Sequence, residues 1–278
     1  MSKVHQVTSS WKGFSSLEQL VIFGDSYSDV WFRGAHSPRP TSSQPLGIEF
    51  PGATYNEPNL PNWVGYLITH PRFGTLSEEQ GSYSVESQLL VYDFAIGGGT
   101  VSSVRYQYDR LFLPMVESDP ELFSPDTVNT LFVTWVGIND CALKADRTNA
   151  HNVLFSVQEE LYRTGARNFL FIDVPPIHRS PAVPQHAEGK FASVYTGWNS
   201  SLNSRIEQFC RDYADASVFL FSAYQLFDDF LTSPDDYNLD PRDVKRPGGS
   251  IWIDRLHPTS KVHEIIASKL GSFLEQVK

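Results

Sequence analysis

Short apolar runs recur along the chain, rich in β-branched or aromatic residues and ended by glycine, proline or a small polar residue. Continuous runs of this kind are typical of strands that are buried on both faces of a sheet. Five such strands are predicted, at residues 20–23, 89–94, 131–136, 169–174 and 218–221.

Between and after these runs, apolar residues recur every three or four positions, which is the spacing of amphipathic helices. Because strands alternate with helices, we expect an α/β fold, a three-layer α/β/α sandwich around a parallel sheet of about five strands. The helical segments lie at residues 101–115, 153–161, 198–213 and 262–273.

Two stretches interrupt this alternation, at residues 33–61 and 228–250. Aromatic residues such as Tyr55 and Tyr237 run through them, so we expect surface insertions that pack rather than flexible linkers. A length of 278 residues is within the range of one α/β domain with insertions, although two domains remain an alternative. We predict a single domain over residues 1–278.

The charge balance limits the partners of this chain. Thirty-two acidic against 22 basic residues give a net charge of −10, which repels nucleic acid and anionic lipid, so neither is expected as a partner. No run is long and apolar enough to span a bilayer, and the polar N-terminus lacks a signal-peptide core. An intracellular monomer is expected, although a secreted protein in its mature form would look the same.

The sequence contains no motif that indicates a cofactor or a metal site. The two cysteines, Cys141 and Cys210, have no Cys or His beside them at metal-ligand spacing and are too few for a disulfide framework. Phosphate-binding and dinucleotide-binding glycine motifs are absent, as are Gly-x-Ser-x-Gly and His-Glu-x-x-His. We therefore expect neither a cofactor nor a metal.

Candidate chemistry lies directly after the predicted strands, where open parallel sheets bind ligands. Ser26 follows the first strand in Gly24-Asp25-Ser26, and the glycine permits a sharp turn that would expose a nucleophilic hydroxyl. The alternative for this tripeptide alone is ordinary turn and capping chemistry.

A base for Ser26 is available before the last helix. Asp254 and His257 are three residues apart, so the carboxylate can hold one imidazole nitrogen while the other faces the serine. An isolated pair of this kind is more often a helix-start aspartate with a surface histidine. His263, on the last helix, is expected to be solvated.

Donors for an oxyanion follow two further strands. Gly98 lies in Gly97-Gly98-Gly99 and offers an unobstructed backbone N–H, and Asn139 lies in Gly137-Ile138-Asn139-Asp140 and offers a side-chain amide. Taken singly, each sequence is also typical of a turn.

In chain order, the four blocks are Gly24-Asp25-Ser26, Gly98, Gly137-Ile138-Asn139-Asp140 and Asp254-x-x-His257-Pro258. In that order they resemble the signature blocks of the SGNH/GDSL hydrolase superfamily, from about residue 20 to residue 270. The residue sequences of these blocks are most similar to those of the fungal acetylesterases of carbohydrate esterase family 16 and of GDSL lipases. The resemblance implies a flavodoxin-like hydrolase fold, with Ser26 as nucleophile, His257 as base and acid, and Asp254 as its orienting carboxylate. It also implies an oxyanion hole formed by the N–H of Ser26, Gly98 and Asn139.

Two details of the resemblance stay open. Relatives usually carry asparagine where this chain has Asp93. Because this position is not expected to contact substrate, we expect the difference to change local hydrogen bonding more than activity. The choice of Gly98 over Gly97 rests on the alignment of one block.

Tryptophans near these blocks suggest what the site accepts. Trp31, Trp135 and Trp252 could stack on a sugar or line an acyl pocket, and core packing is the alternative for each. The resulting prediction is a serine esterase for short-chain, above all acetyl, esters of carbohydrates. The alternatives are an acyltransferase or longer-chain lipase on the same site, and an inactive binding protein of the same fold.

Overall fold

The computed structural model describes residues 1–79, 82–123 and 129–277. Within these ranges the main sheet has six strands in the order β1-β8-β7-β6-β2-β5, and β3 and β4 form a separate antiparallel hairpin. The strands are β1 (Lys3–Gln6), β2 (Gln19–Gly24), β3 (Gly74–Glu79), β4 (Ser82–Ser87), β5 (Leu90–Asp93), β6 (Thr130–Trp135), β7 (Asn168–Ile172) and β8 (Ser217–Phe221).

The five predicted strands correspond to β2, β5, β6, β7 and β8, and all of them pair in parallel. Numbered among themselves, they lie in the order 2-1-3-4-5, which is the flavodoxin-like order. The predicted fold class is therefore confirmed. Strand β5 lies on one side of β2, and β6, β7 and β8 follow on the other, so the topological switch point lies between β2 and β6. A ligand-binding crevice is expected at the carboxyl ends of these two strands.

Three strands were not predicted. Strand β1 adds to the sheet edge antiparallel to β8, and its residues are exposed or half-buried, so it lacks an apolar run. The β3–β4 hairpin carries polar residues on most positions and lies outside the main sheet. Edge strands and hairpins of this kind give no continuous hydrophobic signal.

Helices flank the sheet, and α1 packs on α8 while α2, α5 and α6 pack together. The described residues share one hydrophobic core, although the division into domains stays a prediction. The helices are α1 (Trp63–Ile68), α2 (Val101–Gln107), α3 (Leu113–Ser118), α4 (Ile138–Ala142), α5 (Arg147–Arg163), α6 (Glu188–Asp212), α7 (Ala223–Thr232) and α8 (Ser260–Glu275).

The predicted helix over residues 101–115 is divided. A π-helical turn, Tyr108–Phe112, separates α2 from α3. Pro114, the second residue after this turn, has no N–H to donate to the preceding turn, which is a sufficient reason for the local change of hydrogen bonding.

The two predicted insertions differ in outcome. Residues 33–61 contain short 3₁₀ segments, turns, bends and one isolated bridge between Thr41 and Gln44. That this segment is an insertion stays a prediction. The boundary at residue 228 is wrong, because residues 228–232 belong to α7, whose apolar residues Phe227, Phe230 and Leu231 are buried. The helical spacing of these residues was a usable signal.

Candidate active site

Ser26 lies at the carboxyl end of β2, beside the end of β6. Gly24 makes this approach possible, because a Cβ at that position would lie 2.6 Å from the carbonyl oxygen of Trp135. The Gln107 side chain holds Gly24 by accepting from its N–H at 3.0 Å and donating to its carbonyl at 2.7 Å. The chain then turns, with the N–H of Ser28 donating to the Asp25 carbonyl.

The side chains of Ser26, His257 and Asp254 form a chain of hydrogen bonds at this position. The Nε2 of His257 lies 2.9 Å from the Oγ of Ser26, and its Nδ1 lies 2.7 Å from Oδ2 of Asp254. These are the distances at which a base can take a proton from a hydroxyl while a carboxylate orients the ring. The geometry brings together the three residues predicted as nucleophile, base and orienting carboxylate; their roles remain predictions.

The loop around Asp254 fixes the imidazole from its own backbone. The Oδ1 of Asp254 accepts from the N–H groups of Leu256 and His257 at 2.7 and 2.6 Å. Desolvation acts to raise the pKa of Asp254, but hydrogen bonds from the His257 side chain and from these N–H groups outweigh it and lower the pKa below 3.8. Asp254 is therefore ionised at neutral pH and able to stabilise an imidazolium.

The glycine loop after β5 offers one N–H group that is not used within the described residues. The N–H of Gly97 donates to Oδ2 of Asp29 at 2.8 Å, and the N–H of Gly99 donates to the Ile96 carbonyl at 2.9 Å. Gly98, with φ of 73°, lies between them, and its N–H has no partner in the described chain. This arrangement favours Gly98 over Gly97 as an oxyanion donor.

Asn139 lies at the start of α4, directly after β6. Its Nδ2 donates to the Gly99 carbonyl at 2.9 Å, which leaves its second N–H free for a ligand. Gly137, with φ of 125°, turns the chain at a place where a Cβ would overlap the Trp198 ring. The neighbouring Asp140 accepts from the N–H of Val101 at 3.2 Å and so ties this block to α2.

Asp29 is a residue of the site that the sequence reasoning did not single out. Its carboxylate accepts from the N–H of Gly97, from the N–H of Trp31 at 2.7 Å, and from the Arg33 guanidinium at 3.2 Å. It therefore joins the loop after β2 to the glycine loop. Its position three residues after Ser26 was the available signal.

The carboxyl groups of Asp25 and Asp93 are buried beside the site. Burial, together with the charges of Asp140 and Asp29, raises the pKa of Asp25 to about 7. Burial likewise raises the pKa of Asp93 well above its ordinary value, and its Oδ1 accepts from the N–H of Ala95 at 2.9 Å. When protonated, the Asp93 carboxyl has the shape of an asparagine side chain, with one donor hydrogen where the amide has two.

The three tryptophans predicted to contact substrate differ in solvent exposure. Trp31 is 54% exposed, and the Arg33 guanidinium lies 4.7 Å from its ring centroid. Trp135 and Trp252 are 0% exposed, so the prediction that they contact substrate is wrong. Trp135 packs against Tyr27 and Trp63, because strand β6 is covered on both faces, and Trp252 packs on Phe227 and donates its Nε1 to the Val244 carbonyl.

Tyr55 was noted only as an aromatic residue of the first insertion. Its ring stacks on His257 with centroids 5.3 Å apart and planes 29° apart, and 38% of the residue is exposed. No sequence pattern could have placed it there, since it is 202 positions away from His257 along the chain and in no regular element.

His263 is 2% exposed, so the prediction that it is solvated is wrong. Burial lowers its pKa to about 3, and its ring lies 6.2 Å from that of Tyr27. Helix α8 is covered on the side that carries His263 because the loop after β2 packs against it.

Two wider properties bear on the site. No helix in the described ranges is long and apolar enough to cross a membrane. Among the same residues, no group of three or more His, Cys, Asp or Glu side chains is arranged to hold a metal ion.

Comparison with known proteins identifies the family. The model of the GDSL-like lipase/acylhydrolase family matches residues 20–270. An acetylesterase from Thermothelomyces thermophilus is 28% identical over 282 residues, which cover 92% of this chain and 88% of that protein.

Two solved structures support the fold. A catalytic mutant of an acetylxylan esterase from Geobacillus stearothermophilus superposes with a TM-score of 0.53 at 16% identity, covering 94% of this chain and 95% of that chain. A member of the lipolytic G-D-S-L family from Veillonella parvula gives a TM-score of 0.52 at 13% identity, covering 93% and 99%. The chain belongs to the GDSL-like lipase/acylhydrolase family, and it is a carboxylic ester hydrolase.

Proposed function

We propose that this chain hydrolyses acetyl and other short-chain esters of carbohydrates through a covalent intermediate on Ser26. The observation that carries the proposal is a chain of two hydrogen bonds. One joins the Oγ of Ser26 and the Nε2 of His257 at 2.9 Å, and the other joins the Nδ1 of His257 and the Oδ2 of Asp254 at 2.7 Å. A serine hydroxyl is a weak nucleophile on its own, and a base at this distance can activate it.

In the first half of the reaction, the Oγ of Ser26 attacks the ester carbonyl carbon and its proton passes to Nε2 of His257. The carbonyl electron pair moves to oxygen and forms a tetrahedral oxyanion. When this intermediate collapses, the bond to the alcohol oxygen breaks, and the proton on Nε2 passes to that oxygen. The acyl group remains on Ser26, and the alcohol leaves neutral.

In the second half, His257 takes a proton from water, whose oxygen attacks the acyl carbon. Collapse of the second tetrahedral intermediate breaks the bond to Oγ, which receives the proton back from Nε2. Asp254 stays ionised throughout and stabilises the imidazolium that forms twice in each cycle. The products are a carboxylic acid and an alcohol.

Three donors would stabilise the oxyanion: the N–H of Ser26, the N–H of Gly98 and the Nδ2 of Asn139. Neither backbone N–H has a partner within the described residues, and Asn139 uses only one of its two amide hydrogens on Gly99. Unpaired donors already in position cost no reorganisation when charge develops on the carbonyl oxygen.

Two observations support a carbohydrate ester with a small acyl group. The curated relative at 28% identity is an acetylesterase, and one structural neighbour is named as an acetylxylan esterase. Trp31 is exposed at the rim, in a positive-φ conformation of 72° that Asp29 holds through its N–H. A bulky residue in this conformation is strained. The residue is 54% exposed with the Arg33 guanidinium over one ring face, which leaves indole surface on which a sugar ring can stack.

The test is the hydrolysis of p-nitrophenyl acetate, butyrate and octanoate by the wild-type protein, with Ser26→Ala as control. We expect a preference for acetate, and loss of activity in Ser26→Ala with an unchanged far-ultraviolet circular dichroism spectrum. Acetylated oligosaccharides are then assayed by acetate release, where activity dependent on Ser26 is expected.

Other outcomes count against the proposal. A preference for octanoate would replace the short-chain assignment by a lipase, and activity that survives in Ser26→Ala would remove Ser26 as nucleophile. A folded wild-type protein without activity on any of these esters would favour an acyltransferase or a binding protein.

A further inference from the structure

Tyr55 lies across the two halves of the site. Its ring stacks on the imidazole of His257, with the centroids 5.3 Å apart. At its other end, the hydroxyl reaches the glycine loop, because a Cβ built on Gly97 would overlap both the Oη and the Cζ of Tyr55. The missing side chain at Gly97 therefore makes room for the Tyr55 ring, which borders the space between the base and the oxyanion loop.

The backbone around Tyr55 is held on both sides. The N–H of Ala53 donates to the Val30 carbonyl at 3.3 Å, and Nδ2 of Asn56 donates to the Leu60 carbonyl at 2.9 Å. The carboxylate of Glu57 accepts from the N–H of Ser260 at 2.6 Å, at the first residue of α8. Tyr55 is thus presented by a segment fixed to the same helix that begins after His257, so its ring is positioned before substrate arrives.

The hydroxyl of Tyr55 has no hydrogen-bond partner among the described residues, and 38% of the residue is exposed. It can therefore donate to, or accept from, a group on a bound molecule. The ring face that does not meet His257 adds an apolar surface beside this polar group. A flat apolar ring with one hydroxyl matches the surface of a sugar, which carries C–H groups on its faces and hydroxyls at its edge.

The position of the base decides which half of an ester meets Tyr55. The departing alcohol takes its proton from Nε2 of His257, so its oxygen must come within about 3 Å of that nitrogen. The group attached to this oxygen then lies beside the ring that stacks on His257. The alcohol half, rather than the acyl half, is therefore the neighbour of Tyr55.

We propose that Tyr55 is a specificity-determining residue that recognises a sugar on the alcohol side of the ester. Its ring packs against the sugar, and its hydroxyl hydrogen-bonds to a free sugar hydroxyl. This inference rests on the function proposed above, and it adds the residue that selects the alcohol.

The test compares Tyr55→Phe and Tyr55→Ala with the wild-type protein on three acetyl esters, all followed by acetate release. Partially acetylated xylo-oligosaccharide has a ring and free hydroxyls, cyclohexyl acetate has only a ring, and ethyl acetate has neither. Tyr106→Phe and Tyr106→Ala are the matched controls, because Tyr106 is an exposed tyrosine on α2. Thermal unfolding of every variant establishes that it is folded.

For Tyr55→Phe we expect kcat/KM to fall about tenfold on the xylo-oligosaccharide alone, which corresponds to one lost hydrogen bond of about 1.4 kcal/mol. For Tyr55→Ala we expect a fall of about 10- to 100-fold on the xylo-oligosaccharide and a smaller fall on cyclohexyl acetate. The ratio of sugar ester to ethyl acetate therefore drops in both variants, while the Tyr106 variants leave it unchanged.

Two results would overturn this assignment. If both Tyr55 variants leave the ratio of sugar ester to ethyl acetate unchanged, Tyr55 only supports His257 or does nothing. If Tyr55→Ala raises the ratio of p-nitrophenyl butyrate to p-nitrophenyl acetate hydrolysis, the residue borders the acyl group instead.

Failure of the underlying function is recognised separately. In that case the wild-type protein itself lacks Ser26-dependent activity on all three esters, whereas failure of the Tyr55 assignment leaves that activity intact.

Discussion

His257 and His263 are six positions apart, and the two rings lie at similar distances from the ring of Tyr27, 6.1 and 6.2 Å. Their environments nevertheless differ. His257 has a carboxylate on one ring nitrogen and a serine hydroxyl on the other, with 17% of its side chain exposed. His263 is 2% exposed, and its buried Nδ1 has no partner in the described chain.

The difference identifies what would let an imidazole act as a base. A proton taken up by His257 is stabilised by Asp254, whereas a proton on His263 would be buried without an opposite charge. Burial, with a smaller contribution from the charge of His257, lowers the pKa of His263 to about 3. His263 is therefore a neutral packing residue, although it lies close to the reacting groups.

The largest expected effect separates the two histidines directly. His257→Ala should lower kcat by about 10³- to 10⁶-fold on p-nitrophenyl acetate, as should Ser26→Ala, because the first removes the proposed base and the second the proposed nucleophile. His263→Leu should leave kcat of the folded protein within a few-fold. Steady-state kinetics on protein shown to be folded checks both, and near wild-type turnover by His257→Ala would contradict the proposed roles.

Asp254→Ala tests whether the carboxylate makes the difference between the histidines. We expect kcat to fall by about 10²- to 10⁴-fold, less than for His257→Ala, because the base remains but loses its orientation and its stabilising charge. The matched variant is Asp240→Ala, another surface aspartate that caps a local turn, which should have no effect. Equal activity of the Asp254 and Asp240 variants would show that His257 needs no carboxylate.

Asn139→Ala removes a proposed donor to the oxyanion while leaving both histidines in place. A loss of about 10²-fold in kcat is expected, with a smaller change in KM, because the amide acts on charge that develops in the transition state. The loss also includes any shift of the glycine loop, since Asn139 holds the Gly99 carbonyl. A change confined to KM would indicate that Asn139 binds substrate rather than the oxyanion.

The smallest effect concerns stability and belongs to His263. Its folded-state pKa of about 3 lies below the ordinary value of 6.5, so between these values the unfolded chain binds a proton that the folded chain does not. The contribution of His263 to stability is therefore present above about pH 6.5 and is lost as the pH falls towards 3. His263→Leu should flatten the pH dependence of the free energy of unfolding by up to about 1.4 kcal/mol per pH unit in this window.

Urea denaturation of wild type and His263→Leu between pH 7 and pH 4 measures this difference. The comparison cancels the opposite contribution of Asp25, whose pKa near 7 makes its ionisation destabilising as the pH rises from about 4 to 7. Parallel curves for the two proteins would mean that His263 is not buried as a neutral ring.

Patterns along the chain were sufficient to predict the five parallel strands of the main sheet. The strands β2, β5, β6, β7 and β8 are buried on both faces, and such strands produce continuous apolar runs that can be read without a structure. Strand β1 and the β3–β4 hairpin have no such runs, because an edge strand and an outlying hairpin bury little. The boundary at residue 228 was misplaced because acidic residues on the exposed face of α7 resemble a loop.

The sequence by itself also indicated which residues to expect at one site. Ser26, Gly98 and Asn139 follow parallel strands, whose carboxyl ends meet at one sheet edge, and the spacing of Asp254 and His257 before the last helix indicated a base. The tertiary structure alone decided which aromatic and histidine side chains reach that edge. Trp31 and Tyr55 are exposed there, whereas Trp135, Trp252 and His263 are buried. Burial depends on the elements that cover a residue from distant parts of the chain, and neither residue type nor local spacing records those contacts.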